Sequence, residues 1–152
     1  MLFRSCIQCD AREWDALAVL AGEAEVQAAT ADEFIPQMLN YDVSGHVSFT
    51  KGCYTGQEVV ARLHYRGTAK RRAFPVMLGG GIETDQLVGS DIYVDQNTQS
   101  VGKVAGAGIK ATGETVALAV LTRKLLDGPG FSLGSPDGPQ LKVLAAPYTL
   151  PD

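Results

Sequence analysis

The residue of this chain best suited to covalent or metal-ligand chemistry is a cysteine in a glycine-rich segment. Residues 51–58 read KGCYTGQE, so that Cys53 lies two positions after Lys51. A thiol reacts as its thiolate, and both a nearby ammonium group and the N-terminus of a helix favour that form. We therefore predict that Cys53 is the catalytic thiol and that Lys51 activates it. The alternative is that Cys53 is a small buried apolar residue.

Two polar side chains follow the cysteine. Glu58 would close a capping box that begins at Thr55, or it would be a carboxylate partner for a basic or amide-bearing ligand. Gln57 would be a ligand contact or a residue of the first helical turn. Both interpretations stay open on the residues alone.

Basic residues are concentrated just after this segment. Residues 51–72 contain six basic side chains and one acid, a local charge of +5, in a chain whose net charge is −4. A basic segment on an acidic protein indicates one anionic ligand or partner met at one place. The six are Lys51, Arg62, Arg66, Lys70, Arg71 and Arg72. A solvated helix end would explain Arg66, but it explains the basic run at 70–72 less well.

The elements that position these residues follow from spacing. A helix is predicted from a cap at Asp10 to Gly22, a short strand over 25–29, and a second helix from the capping-box pattern at 30–33. A strand over 47–50 precedes a helix over 56–66, which Gly67 ends. Trp14, the only tryptophan, is predicted to pack in the core, with stacking on a flat heterocycle as the alternative.

After residue 70 the apolar pattern changes to short strands separated by glycine turns. Strands are predicted over 73–78, 91–94, 102–109, 115–121 and 141–145, and five or six such strands favour a small antiparallel barrel. The fold class is therefore α+β, with an α/β part over residues 1–70 and a β-barrel over 71–152.

Several classes of protein are disfavoured. Three cysteines are too few for a disulfide framework, which favours a reducing cytoplasm, and the lone CxxC at Cys6 and Cys9 is interpreted as chance. No apolar run is long enough to span a bilayer. Phosphate-binding and nucleophile-elbow motifs are absent from the sequence, as is a metal-ligand motif.

The segment at residues 51–58 resembles the K-G-C-[YF]-x-G-Q-E signature of the YgfZ family, which is related to the T-protein aminomethyltransferase of glycine cleavage. Five flanking segments are also similar to that family: 34–37, 47–49, 60–62, 65–67 and 147–150. The resemblance implies a folate-binding α/β part followed by a C-terminal barrel. It makes Cys53 the signature cysteine and Trp14 the folate-stacking residue. The residues assigned to tetrahydrofolate on this basis are Trp14, Tyr54, Gln57, Glu58 and Arg62.

The resemblance implies a folate-dependent accessory protein for iron–sulfur enzymes, linked to tRNA modification. A folate-dependent aminomethyltransferase and a non-catalytic module that binds protein or tRNA are the alternatives. Members of the family are longer, and their first half is absent from this sequence. The implied partners are therefore folate, iron–sulfur client proteins, tRNA weakly or indirectly, and a separate N-terminal half or a second copy of this chain.

Overall fold

A closed six-stranded antiparallel barrel forms the larger part of the molecule in a computed structural model, which describes residues 10–79, 81–94 and 97–151. Around the barrel the strands follow the order β1–β4–β3–β2–β5–β6. Their bounds are Arg71–Met77 (β1), Asp91–Val94 (β2), Gly102–Ile109 (β3), Thr115–Thr122 (β4), Phe131–Leu133 (β5) and Gln140–Val143 (β6). The predicted barrel is confirmed. The predicted strands occur within a few residues of their expected bounds, and β5 is an additional, three-residue strand.

Strand β4 explains why the barrel has two apolar layers. Its sequence TVALAVLT is buried almost throughout. Ala117, Ala119 and Leu121 belong to the cluster inside the barrel, whereas alternate residues face a second cluster outside it. Because side chains alternate across a strand, a strand covered on both faces has a continuous apolar sequence.

Helix α1, Ala11–Leu20, covers the outer face of β3 and β4. Asp10 caps it as predicted, in a capping box with Glu13, and Gly22 follows its end with a positive φ of 72°. Ala16 and Val19 are the buried residues of the helix. The predicted core packing of Trp14 is wrong, since the indole is 66% exposed on the opposite side.

The segment between α1 and the signature contains no regular strand. The strand predicted over 25–29 and the helix predicted from 30–33 are replaced by one 3₁₀ turn at Ala28–Thr30 and another at Pro36–Leu39. The strand predicted over 47–50 is likewise absent, and those residues form bends. Backbone hydrogen bonds within turns hold this segment together with side chains: the backbone N–H of Tyr41 donates to the carbonyl of Pro36 at 3.0 Å, and the Tyr41 hydroxyl donates to the carbonyl of Ala24 at 2.8 Å.

Helix α2, Gln57–Arg66, confirms the helix predicted over 56–66. The capping box predicted at Thr55 and Glu58 is wrong. The N-cap is Gly56 in the left-handed region, with φ 85°, and no side chain caps the helix. Glycine occupies this conformation without the steric cost that a Cβ would add. Glu58 is therefore free of the capping role and lies exposed in the first turn.

Candidate functional site

The signature segment forms an exposed loop that leads into α2. Lys51, Gly52 and Cys53 are all exposed, so the alternative of a buried apolar cysteine is excluded. The loop is tied to the helix by the backbone N–H of Tyr54, which donates to Oε1 of Gln57 at 3.2 Å. Solvent and a reaction partner can thus both reach the thiol.

A small cavity of about 40 Å³ lies beside the loop. Lys51, Tyr54 and Gln57 are among its lining residues. Three of the residues predicted to act in the site are therefore brought together. Cys53 does not line this cavity, and neither do Glu58 and Arg62; the thiol is exposed on the loop and the other two residues are exposed on α2.

Stacked aromatic rings connect the residues before the signature loop to the C-terminal end of α2. The rings of Phe49 and His64 are stacked with centroids 3.6 Å apart and an interplanar angle of 8°. Tyr65 packs edge-on against both rings. Because Phe49 precedes the signature and His64 follows it, this stack fixes both ends of the segment relative to each other.

Gln37 is the main polar contact between α2 and the body of the protein. Its amide donates to the carbonyl of Val60 at 2.6 Å, and Val60 is the buried residue of the helix. The sequence matched residues 34–37 to a family pattern but gave no role for Gln37. Its contact lies 23 positions away, so no local spacing indicated it.

Trp14 lies at a different cavity, of about 430 Å³. Leu17, Glu23 and Glu25 line this cavity with it, and none of residues 51–58 does. Burial, followed by the charges of Glu23 and Glu25, raises the pKa of the neighbouring Tyr41 hydroxyl. This is consistent with an acidic environment beside the indole.

The residues assigned to tetrahydrofolate thus divide between two surfaces. Trp14 lines the 430 Å³ cavity, whereas Tyr54 and Gln57 line the 40 Å³ cavity beside the loop. As placed here, the five residues do not fit a single folate molecule in one cavity of this chain.

The basic segment also divides into two parts. Arg72 is only 3% exposed and forms a two-point ion pair with Asp42, through contacts of 2.6 and 3.0 Å. It also donates to the carbonyl of Gln37 at 3.0 Å. The predicted role of Arg72 in meeting an anionic ligand is therefore wrong, because its charge is neutralised inside the protein. The other five basic residues are exposed.

Within the part of the chain that the structure describes, no group of three or more His, Cys, Asp or Glu side chains could hold a metal ion. Cys6 and Cys9, the CxxC of the sequence, lie outside the described residues. The described helices include none with the length and apolar character needed to cross a membrane.

No family model matches the chain. The chain is nevertheless similar to curated relatives, each of which is named tRNA-modifying protein YgfZ. Those of Pectobacterium carotovorum subsp. carotovorum and Pectobacterium atrosepticum are 34% identical over 145 residues, which is 94% of this chain and 43% of each relative. That of Photobacterium profundum is 36% identical over 145 residues, 94% of this chain and 44% of the relative.

The chain thus spans less than half the length of these relatives, and the match falls on a C-terminal part of them. The predicted family resemblance is confirmed by this similarity over nearly all of the chain. This chain belongs to the YgfZ family.

Proposed function

We propose that this chain is part of a cytoplasmic accessory protein that maintains iron–sulfur enzymes linked to tRNA modification, and that its reactive group is Cys53. The exposure of the Cys53 thiol in the signature loop before α2, two positions after the exposed Lys51, carries the proposal. The names of the relatives support the link to tRNA modification. A thiolate binds iron through a sulfur lone pair after releasing its proton to solvent.

The loop suits a transient ligand better than a permanent metal site. Two glycines flank the cysteine, Gly52 and Gly56, and no side-chain atom comes near the position that a Cβ would occupy at either of them. The thiol is exposed and the space beside both glycines is open, so a large partner can approach this part of the loop. One thiolate provides one ligand to a cluster, so the remaining ligands would come from the client protein.

Lys51→Gln is expected to slow alkylation of Cys53 about two- to fivefold, because an exposed ammonium group favours the thiolate by a modest free energy. The rate of reaction with iodoacetamide would be measured by mass spectrometry between pH 6 and 9. Cys6 and Cys9 are replaced by serine in every sample so that Cys53 is the only thiol.

The matched control is Lys142→Gln, which makes the same charge change at an exposed lysine of β6. If Lys51→Gln and Lys142→Gln give equal alkylation rates, Lys51 has no special role in activating the thiol. If Cys53 reacts no faster than the same thiol in urea-unfolded chain, the folded loop does not activate it at all.

We also propose that a reduced folate binds at the Trp14 cavity. An exposed indole offers a face for stacking a pterin, and Glu25 in the same lining supplies an acceptor of the kind that the N–H groups of the aminopyrimidine edge require. Glu23, the other acid of the lining, has its Oε2 atom 3.6 Å from Nε2 of His46. The thiol step proposed for Cys53 is independent of folate here, because the cavity that contains Trp14 is not lined by Cys53.

Adding 5-formyltetrahydrofolate is expected to quench the fluorescence of Trp14 in a saturable way and to protect it from acrylamide. The signal is unambiguous because Trp14 is the only tryptophan. N-acetyltryptophanamide corrects for absorption by the folate. Leu17→Ala should weaken binding, because Leu17 lines the same cavity, whereas Cys53→Ser should leave it unchanged. A linear response identical to that of the free indole would refute folate binding by this chain.

A further inference from the structure

Four exposed cations lie within ten residues of the chain, on α2 and in the segment that follows it. We call Arg62, Arg66, Lys70 and Arg71 the cationic ridge. None of the four has an ion-pair partner within the described ranges, where the ion pairs involve other basic residues. Arg72 follows directly but is buried against Asp42, so it contributes no charge to the ridge.

Repulsion between the like charges of the ridge lowers the stability of the fold. Arg62 and Arg66 are four residues apart on one helix, so they share a face and repel each other. Glu58 is the acidic residue of α2, one turn before Arg62, and it forms no ion pair with it among the described residues. The helix dipole favours Arg66 in the last turn, but Lys70 and Arg71 lie beyond the helix and gain nothing from it.

An exposed aromatic ring lies on the same helix. Tyr65 is 67% exposed, and its ring is positioned by edge contacts with the rings of Phe49 and His64. A fixed and exposed ring can stack on an unpaired base, whereas the bases of a duplex are already stacked on each other. Cations beside such a ring match a single-stranded nucleic acid, because they neutralise the phosphates on either side of the stacked base.

We propose that the cationic ridge and Tyr65 bind an unpaired loop or end of tRNA. This inference rests on the link to tRNA modification in the proposed function. Its surface adjoins the signature loop, because Tyr65 lines the small cavity beside that loop together with Lys51, but it does not use the Cys53 thiol. An acidic chain with a net charge of −4 would be repelled by RNA everywhere except at such a surface. Binding is therefore expected to be local and dependent on salt.

The test is fluorescence anisotropy with labelled, unfractionated bacterial tRNA at several salt concentrations. K70Q/R71Q should weaken binding about tenfold at 50 mM salt and should lower the slope of log affinity against log salt by about 1.4, since each neutralised phosphate of a single strand contributes about 0.7. R62Q/R66Q provides a second variant on the helix. K124Q/K142Q, which removes the same charge from exposed lysines of the barrel half, should bind as the unmodified chain does.

Tyr65→Ala should weaken binding about fivefold or more through loss of base stacking, and Val59→Ala, an exposed apolar residue of the same helix, should not. Circular dichroism melts verify that each variant is folded. If K70Q/R71Q and K124Q/K142Q weaken tRNA binding equally, the proposal is overturned, because the loss of affinity would then follow from the net charge of the chain and not from the ridge. Absence of tRNA binding would also overturn it.

Two further outcomes separate the alternatives. If poly-glutamate competes with tRNA at equal charge concentration, the ridge recognises an acidic polypeptide and the RNA proposal fails. If duplex RNA binds as tightly as tRNA, the single-strand assignment fails. Neither outcome alters the alkylation rate of Cys53, so failure here is distinguishable from failure of the proposed thiol function.

Discussion

Arg72→Ala is expected to lower the free energy of unfolding by about 3–5 kcal/mol, the largest effect of any single substitution considered for this chain. Arg72 is 3% exposed and Asp42 is 8% exposed, and two nitrogen–oxygen contacts of 2.6 and 3.0 Å join them. Removal of the guanidinium group would leave the Asp42 carboxylate buried without its counter-charge. Urea denaturation followed by far-ultraviolet circular dichroism measures the change.

Arg71→Ala is the matched control, because Arg71 is the preceding residue of β1 and its side chain is exposed. It is expected to change the free energy of unfolding by no more than about 0.5 kcal/mol. The double variant R72M/D42L should recover part of the loss, since an apolar pair removes the uncompensated charge as well. A loss below about 1 kcal/mol for Arg72→Ala would mean that Asp42 finds water or another partner.

Arg72 is connected to helix α2 of the candidate site by two successive hydrogen bonds. Arg72 donates to the carbonyl of Gln37, and the side chain of Gln37 donates to Val60 of α2. The Nε of Arg72 and the Oε1 of Gln37 are buried and have no hydrogen-bond partner among the described residues. The contact between β1, Gln37 and α2 therefore contains two buried polar atoms whose hydrogen bonds are not made. Arg72→Ala should therefore loosen α2 first, which increased amide hydrogen exchange over 57–66 would reveal.

Periodicity predicted α2 and most of the barrel because both are dictated by local patterns. The apolar residues of α2 recur at helical spacing, and the strands are apolar runs bounded by glycine. Arg72 could not be predicted in the same way. Its partner Asp42 lies 30 positions earlier, in a segment without regular structure, so the sequence showed only a basic run.

The capping box predicted at Thr55 shows a second way in which a local sequence pattern can fail to predict the structure. The spacing of Thr55 and Glu58 satisfies the motif, but Gly56 adopts a left-handed conformation and becomes the N-cap itself. A residue with a Cβ would be strained at this φ, so the left-handed turn before α2 depends on a glycine that the motif treats as an unspecified position.

The bounds predicted for helix α1 are correct, but the prediction of which face packs against the barrel is wrong. The reason is steric. The helix has apolar residues on two faces, one with Trp14 and Leu17 and the other with Ala16 and Val19. The backbone of Ala16 lies directly against Gly108 of β3, where an added Cβ would meet the Ala16 N and Cα atoms. Only a small side chain fits so close an approach, so the face with alanine turns inward and the indole remains outside.

Gly108→Ala is accordingly expected to lower the free energy of unfolding by about 2–3 kcal/mol, because the new methyl group would overlap backbone that cannot rotate away. Gly106→Ala, on the same strand, is the control: its Cβ would have the Val19 Cγ2 at 3.9 Å as its nearest neighbour, which is ordinary contact. Urea denaturation would compare the two, and the emission of Trp14 would report displacement of α1. Equal stability of both variants would mean that α1 shifts on the barrel at little cost, and the steric account of why Trp14 is exposed would then be wrong.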